Sequence, residues 1–139
     1  MNIQFIYQVP HFKLKKTSAI KKWLKEAIHS EKKLCGKIIF TFVSDKEILK
    51  INKEFLKHNS YTDIITFDYS EGKKINAEVF ISAERVGENA AKLKVSYDEE
   101  IRRVMVHGIL HLCGFKDKKV KDKKEMRKME EKYLKNFKS

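Results

Sequence analysis

The stretch that most restricts what this chain can become is His107-Gly108-Ile109-Leu110-His111-Leu112-Cys113-Gly114-Phe115-Lys116-Asp117. Residues four apart on a helix share a face, offset by about 40° around the axis and about 6 Å along it. His107 and His111 can therefore present two imidazoles to one point. They stand in the most apolar segment of a highly charged chain, among Val104, Met105, Val106, Ile109, Leu110 and Leu112. A polar side chain in such surroundings has to find a partner. Gly114 can take a positive φ and end the helix abruptly. The backbone can then double back and bring Asp117 to the same place.

Two imidazole nitrogens and a carboxylate oxygen are an acceptable zinc set, with the fourth position left to water. His107, His111 and Asp117 are the candidate metal ligands. His107 is the candidate catalytic residue, acting through the water that one bound ion would activate. Nickel, iron or manganese also accept two nitrogens and a carboxylate. Taken singly, each part has a plainer explanation: a histidine pair on a helix is commonly a surface or core feature, glycine is an ordinary helix stop, and a loop aspartate is an ordinary solvated charge. Their coincidence in one apolar helix is what points to a metal. The intervals resemble the long zinc signature of metzincin peptidases. The glutamate that follows the first histidine there, the general base of peptide hydrolysis, is Gly108 here, which weakens a peptidase reading.

At 139 residues the chain is expected to form one domain, 1–139, with a modest core. No run of 18 apolar residues is present, so no membrane partner is expected. The N-terminus lacks the basic start and apolar core of a signal peptide, and a cytoplasmic location is expected. Two cysteines, Cys35 and Cys113, are too few for a disulfide framework. Cys113 falls about 200° around the helix from His111, pointing away from the site as a buried thiol. Thirty-one Lys and Arg against 19 Asp and Glu give a net charge of +12. That suits a polyanion such as RNA, though a lysine-rich surface also serves solubility. The basic residues are mostly lysine, which favours recognition of backbone and shape over base edges.

Hydrophobic periodicity lays out the rest. Residues 2–9 alternate as a strand with Ile3, Phe5, Tyr7 and Val9 on one face, and Pro10 ends it. Thr17 or Ser18 is expected to cap a helix burying Ile20, Trp23, Leu24, Ala27 and Ile28. Gly36 breaks the pattern before a strand from Lys37 to Val43. Ser44 with Glu47, and Ser96 with Glu99, read as capping boxes. The first opens a helix to about Lys57, and the second opens the histidine helix. His58 to Tyr61 reads as a polar loop. Ile64–Tyr69 and Ile75–Ser82 read as strands joined by a turn at Gly72, short enough to make them antiparallel. Ala83 to about Lys94 is a helix burying Val86, Ala90 and Leu93. Lys118 to Lys138 is an amphipathic helix with Met126, Met129, Tyr133 and Phe137 on one stripe. The order predicts a four-stranded mixed sheet with one antiparallel strand, packed with about five helices.

The same residues resemble the YbeY family of bacterial endoribonucleases, the rRNA maturation factors, from about Asn52 to Leu134. The family's His-Gly-x-Leu-His-Leu-x-Gly-aromatic-Asp-His stands here as residues 107–117. Its Thr-Asp-Val-Leu-Ser-Phe appears as Thr62-Asp63-Ile64-Ile65-Thr66-Phe67, and its Gly-Asp-Ile as Ala77-Glu78-Val79. The resemblance implies an α+β fold with a metal cleft like that of a metalloprotease, and a zinc-dependent, single-strand-specific endoribonuclease acting in rRNA maturation, ribosome assembly and quality control, with rRNA of the small subunit as partner. Two departures stand out. The third ligand, usually histidine, is Asp117, and the aspartate before it is Lys116. The family's Asn-x-x-Tyr-Arg places an arginine where this chain has Leu56; Lys57 or Arg103 could supply that cation. Asp63 and Glu78 are the candidate general bases. A non-catalytic assembly protein with a structural metal, and a metallopeptidase, are the competing classes.

Overall fold

Among the residues described by the computed structural model, 2–57 and 62–138, the chain forms four strands and five helices. They run in the order β1 (Ile3–Tyr7), α1 (Thr17–Ser30), β2 (Leu34–Val43), α2 (Asp45–Phe55), β3 (Ile64–Asp68), β4 (Lys74–Ser82), α3 (Ala83–Leu93), α4 (Tyr97–Leu112) and α5 (Val120–Asn136). The expected polar loop from His58 to Tyr61 lies outside the described residues. The sheet has the order β1-β2-β4-β3. β1 and β2 are parallel, as are β2 and β4, and β3 runs antiparallel to β4. The mixed sheet with one antiparallel strand is as the α/β alternation and the short turn predicted. Gly72 at that turn has φ 57°.

Alternation divides the sheet into two unequal faces. Ile3, Ile38, Phe40, Phe42, Ile75, Ala77, Val79 and Ile81 form the principal core with Trp23, Leu24, Val104, Met105 and Ile109 from α1 and α4. On the opposite face a smaller cluster of Val43, Ile48, Ile51 and Ile65 lies under α2, with Phe67 and Phe80 packed against it. α5 is tied to α1 by Trp23 Nε1, which donates to the Tyr133 carbonyl at 2.7 Å, and by the edge-on contact of Trp23 with Phe137.

Ser44 and Ser96 cap as expected, each hydroxyl accepting from the backbone N–H three residues on at 3.1 Å. Three local expectations change. Neither Thr17 nor Ser18 caps α1; Lys16 does so in a left-handed conformation, with no side-chain cap. Gly36 sits inside β2 instead of before it, at the register shift between Cys35 and Ile38. A Cβ there would lie 2.6 Å from the Ile75 carbonyl oxygen, so the glycine serves strand approach and not a break. Leu93 is 45% exposed, because α3 ends there before its stripe completes another turn over the core.

One close approach decides where the histidine helix lies. An added Cβ at Gly108 would stand 2.8 Å from Ile64 Cδ1 and 3.6 Å from Thr66 Cγ2. The missing side chain lets α4 settle onto β3, so that His107 and His111 emerge beside the sheet edge. Gly108→Val is expected to force the helix and strand apart and lower stability by about 1–3 kcal/mol, as overpacking does. Urea unfolding measures it; an unchanged midpoint would count against this account of the packing.

Candidate metal centre

α4 ends as its sequence requires. Gly114 has φ 110°. Its N–H donates to the His111 carbonyl, and the Phe115 N–H to the Leu110 carbonyl, both at 3.0 Å. This pair of bonds is the Schellman stop, which needs the left-handed residue that glycine supplies most easily. The chain reverses there, and Asp117 turns back to the helix. Its Oδ2 lies 3.3 Å from His107 Nε2 and its Oδ1 lies 3.7 Å from His111 Nε2. The two imidazole centroids are 5.8 Å apart.

The other nitrogen of each ring is already engaged. His107 Nδ1 lies 2.6 Å from Glu130 Oε2 on α5. His111 Nδ1 lies 2.9 Å from the Phe115 carbonyl, just past the glycine stop. Carbonyl and carboxylate oxygens accept, so each Nδ1 carries the hydrogen. In the neutral rings each Nε2 then keeps a lone pair, directed to the side where Asp117 lies. This is the arrangement by which proteins orient imidazoles toward metals.

Among the described residues no three His, Cys, Asp or Glu side chains are gathered closely enough to hold a metal ion as they stand. The three stand as an open triplet at ion-pair spacing. Two atoms bound tetrahedrally to one zinc at its usual distances are separated by about 3.3 Å, close to the two nitrogen–oxygen distances observed. By donor type, two imidazole nitrogens and a carboxylate oxygen, the triplet fits a zinc-type ion.

Glu130 was not found in the sequence. It is 2% exposed and belongs to a chain of buried charges. Arg103 Nη1 donates to Glu130 Oε1 at 3.0 Å. The same guanidinium engages both oxygens of Glu100, itself 1% exposed. Arg103 is thereby committed to two carboxylates and does not supply the cation suggested for the place of Leu56. Burial alone would pull the His107 pKa down; the hydrogen bond and charge of Glu130, then Asp117 and Asp63, reverse this and hold it above its ordinary value. For Glu130, burial pushes the pKa up, but His107 and Arg103 outweigh it and hold the carboxyl below its ordinary value.

A cleft of about 480 Å³ opens at the triplet. It is lined by Asn52 and Leu56 of α2, residues 62 and 64–66 on and before β3, His107, Gly108 and His111 of α4, and Lys118. Lys118 is the cation among the described lining residues, a position the sequence did not single out. Of the suggested general bases, Glu78 is exposed and lies on the sheet face opposite Ala77 and Val79, away from the histidines. Asp63 accepts from Asn89 Nδ2 at 3.2 Å and adds its charge to the field at His107. Cys113 is a half-buried free thiol whose pKa burial raises to about 11, in keeping with an inert role.

This geometry coincides with a family match over nearly the whole length: the family model for Endoribonuclease YbeY matches residues 5–138. The chain belongs to the YbeY endoribonuclease family. The match extends beyond Asn52–Leu134 to take in the first strand and helix. Among proteins named Endoribonuclease YbeY, that of Flavobacterium psychrophilum is 43% identical over 135 residues, covering 97% of this chain and 96% of the relative. That of Porphyromonas gingivalis is 49% identical over 113 residues, covering 81% and 75%. The solution structure of TM1509 from Thermotoga maritima has a TM-score of 0.65 at 26% identity, covering 97% of this chain and 88% of that one.

The buried pair sets a pH window. The folded pKa of His107 lies above its ordinary 6.5, so its contribution to stability is complete below that pH and is lost as pH rises through the folded value. The folded pKa of Glu130 lies below its ordinary 4.5, so its contribution is complete above that pH and is lost as pH falls through the folded value. Metal-free protein should therefore gain most from this pair between pH 4.5 and 6.5, and Glu130→Gln should flatten both flanks of the profile. Denaturant melts at stepped pH read this directly; superimposable profiles would contradict it.

Proposed function

We propose that this protein is a metal-dependent endoribonuclease that hydrolyses single-stranded RNA, with one divalent ion, zinc by donor type, held by His107, His111 and Asp117. The observation that carries the reading is the freeing of both Nε2 atoms. Glu130 and the Phe115 carbonyl occupy the Nδ1 hydrogens, and the two remaining nitrogens face one carboxylate at the wall of a cleft. The names of the relatives, Endoribonuclease YbeY, supply the substrate class. The net charge of +12 suits RNA and predicts binding that weakens steeply with salt.

When bound, the ion would supply Lewis-acid polarisation of a phosphate and a water acidified toward neutrality. The chain's own groups have separable tasks. Glu130 holds the His107 ring against rotation and keeps its hydrogen on Nδ1, and Arg103 keeps Glu130 ionised and in place. The Phe115 carbonyl does the same for His111. Lys118 meets substrate phosphate at the mouth of the cleft, and Leu56 gives one wall an apolar surface. The field of Asp117, Glu130 and Asp63 favours a cation at the centre. Within this reading the substrate is rRNA of the small ribosomal subunit and the place of action the cytoplasm, as the family resemblance implies.

A peptidase would need a glutamate at position 108. There any side chain meets Ile64, and no described carboxylate takes its place next to His107 apart from Asp117 and Glu130, both of which are engaged.

His107→Ala and Asp117→Ala are each expected to lose stoichiometric metal on elemental analysis and to lower cleavage of single-stranded RNA by roughly 100-fold or more. Their RNA binding without turnover should persist. Cleavage at the wild-type rate by purified His107→Ala protein would refute the assignment. Glu130→Gln should bind metal about 10–100-fold more weakly, the usual cost of losing such a partner, read by competition with a chromogenic chelator.

A further inference from the structure

The floor of the cleft is backbone as well as side chain. β3 is an edge strand. Its ladder to β4 passes through Asp63, whose carbonyl accepts from the Ser82 N–H at 2.9 Å, and through Tyr69, whose N–H donates to the Asn76 carbonyl at 2.8 Å. Antiparallel pairs alternate between bonded and non-bonded. Residues 65 and 67 therefore also bond to β4, while Ile64, Thr66 and Asp68 turn their N–H and C=O groups to the open edge. The Ile64 carbonyl already accepts from Thr62 Oγ1 at 3.3 Å. Asp68 is exposed beyond the cleft. Among the described residues this leaves Thr66 with an outward N–H and C=O side by side. Thr66 also packs beside Gly108, one residue from His107.

We propose that the outward N–H and C=O of Thr66 bind the Watson–Crick edge of one unpaired nucleobase, so that β3 holds the single strand while Lys118 and the histidine triplet take the phosphate. The proposal rests on reading the cleft as an RNA site and names the group in it that selects unpaired strands. The argument is one of donor and acceptor order. A phosphate only accepts, and the Thr66 carbonyl would repel it. A nucleobase presents a donor beside an acceptor on its Watson–Crick edge, the edge that a duplex has already used. Every base offers such a pair in some register, so main-chain recognition grips single strands without strict sequence choice. An apolar surface is placed for the face of the base: Leu56, 41% exposed, lines the same cleft. An extended peptide could also add to an open edge. It would want successive free carbonyls along β3, and that of Ile64 is occupied by Thr62.

The test measures binding to metal-free protein, so it is read independently of cleavage. A short single-stranded RNA is scanned with single N3-methyluridine or N1-methyladenosine substitutions, which block the Watson–Crick edge and keep the phosphates. One position should lose roughly ten-fold or more in affinity, the scale of one bidentate base contact. Thr66→Pro deletes the outward N–H without touching the ladder, a position an edge strand tolerates. With its melt unchanged, it should bind unmodified RNA as weakly as wild type binds the methylated RNA, and show no further loss on methylation. A scan in which no single methylation weakens wild-type binding overturns the proposal, and needs no variant to fold. So does equal methylation sensitivity in folded Thr66→Pro, and so does an extended peptide that displaces RNA while methylation has no effect. If instead the methylation pattern appears but no RNA is cleaved with zinc present, the base contact stands and the nuclease reading fails.

Discussion

A carboxylate almost wholly removed from water keeps its charge only if donors hold it there, and Glu130 has two, the Arg103 guanidinium and the Nδ1 hydrogen of the His107 ring. Taking one partner away would leave an uncompensated buried charge, among the most costly defects a core can carry. The pair therefore binds α5 to α4 more specifically than the apolar stripe of α5 could. It fixes the rotation of the helix through Arg103 and the rotation of the ring through His107. The free nitrogen of that ring then has a fixed direction before any ligand arrives. Asp117 reaches the same place by a different route, through the reversal at Gly114.

Absence of a side chain does comparable work at Gly108. The helix lies this close to β3 with Ile64 in its present rotamer because nothing projects there, and that contact brings the histidines level with the strand edge. The same absence removes the position from which a peptidase would draw its general base. One small residue thus shapes the cleft and narrows its chemistry.

Electrostatics act on two scales. The molecule as a whole is strongly basic, which draws polyanions from a distance of about a Debye length and no further at physiological salt. Its centre is locally acidic, with Glu130, Asp117 and Asp63 acting on His107. The long-range field follows from the net charge of +12, and the short-range one is invisible in it.

Much of this was legible along the chain because it depends on near neighbours. Hydrophobic alternation and helical spacing gave the elements and the mixed sheet, two serines announced their helices, and histidines at i and i+4 before a glycine stop foretold how residues 107–117 would turn. Glu130 was not legible, although it interrupts the stripe of Met126, Met129 and Tyr133 and that interruption was a signal. Its meaning depends on Arg103 and His107, 27 and 23 residues away, and no local pattern records which charges a fold will bury together. The same holds for Arg103, which reads as a free cation in sequence and is spent on two carboxylates in space. Glu78, attractive as a charge on an apolar strand, was removed from the site by the parity of its register. Local chemistry and periodicity thus set the elements and the turn to Asp117. Packing alone decided which nitrogen of the His107 ring was left free, which strand edge met the site and which charges balanced, because those depend on surfaces that meet only when the chain has closed.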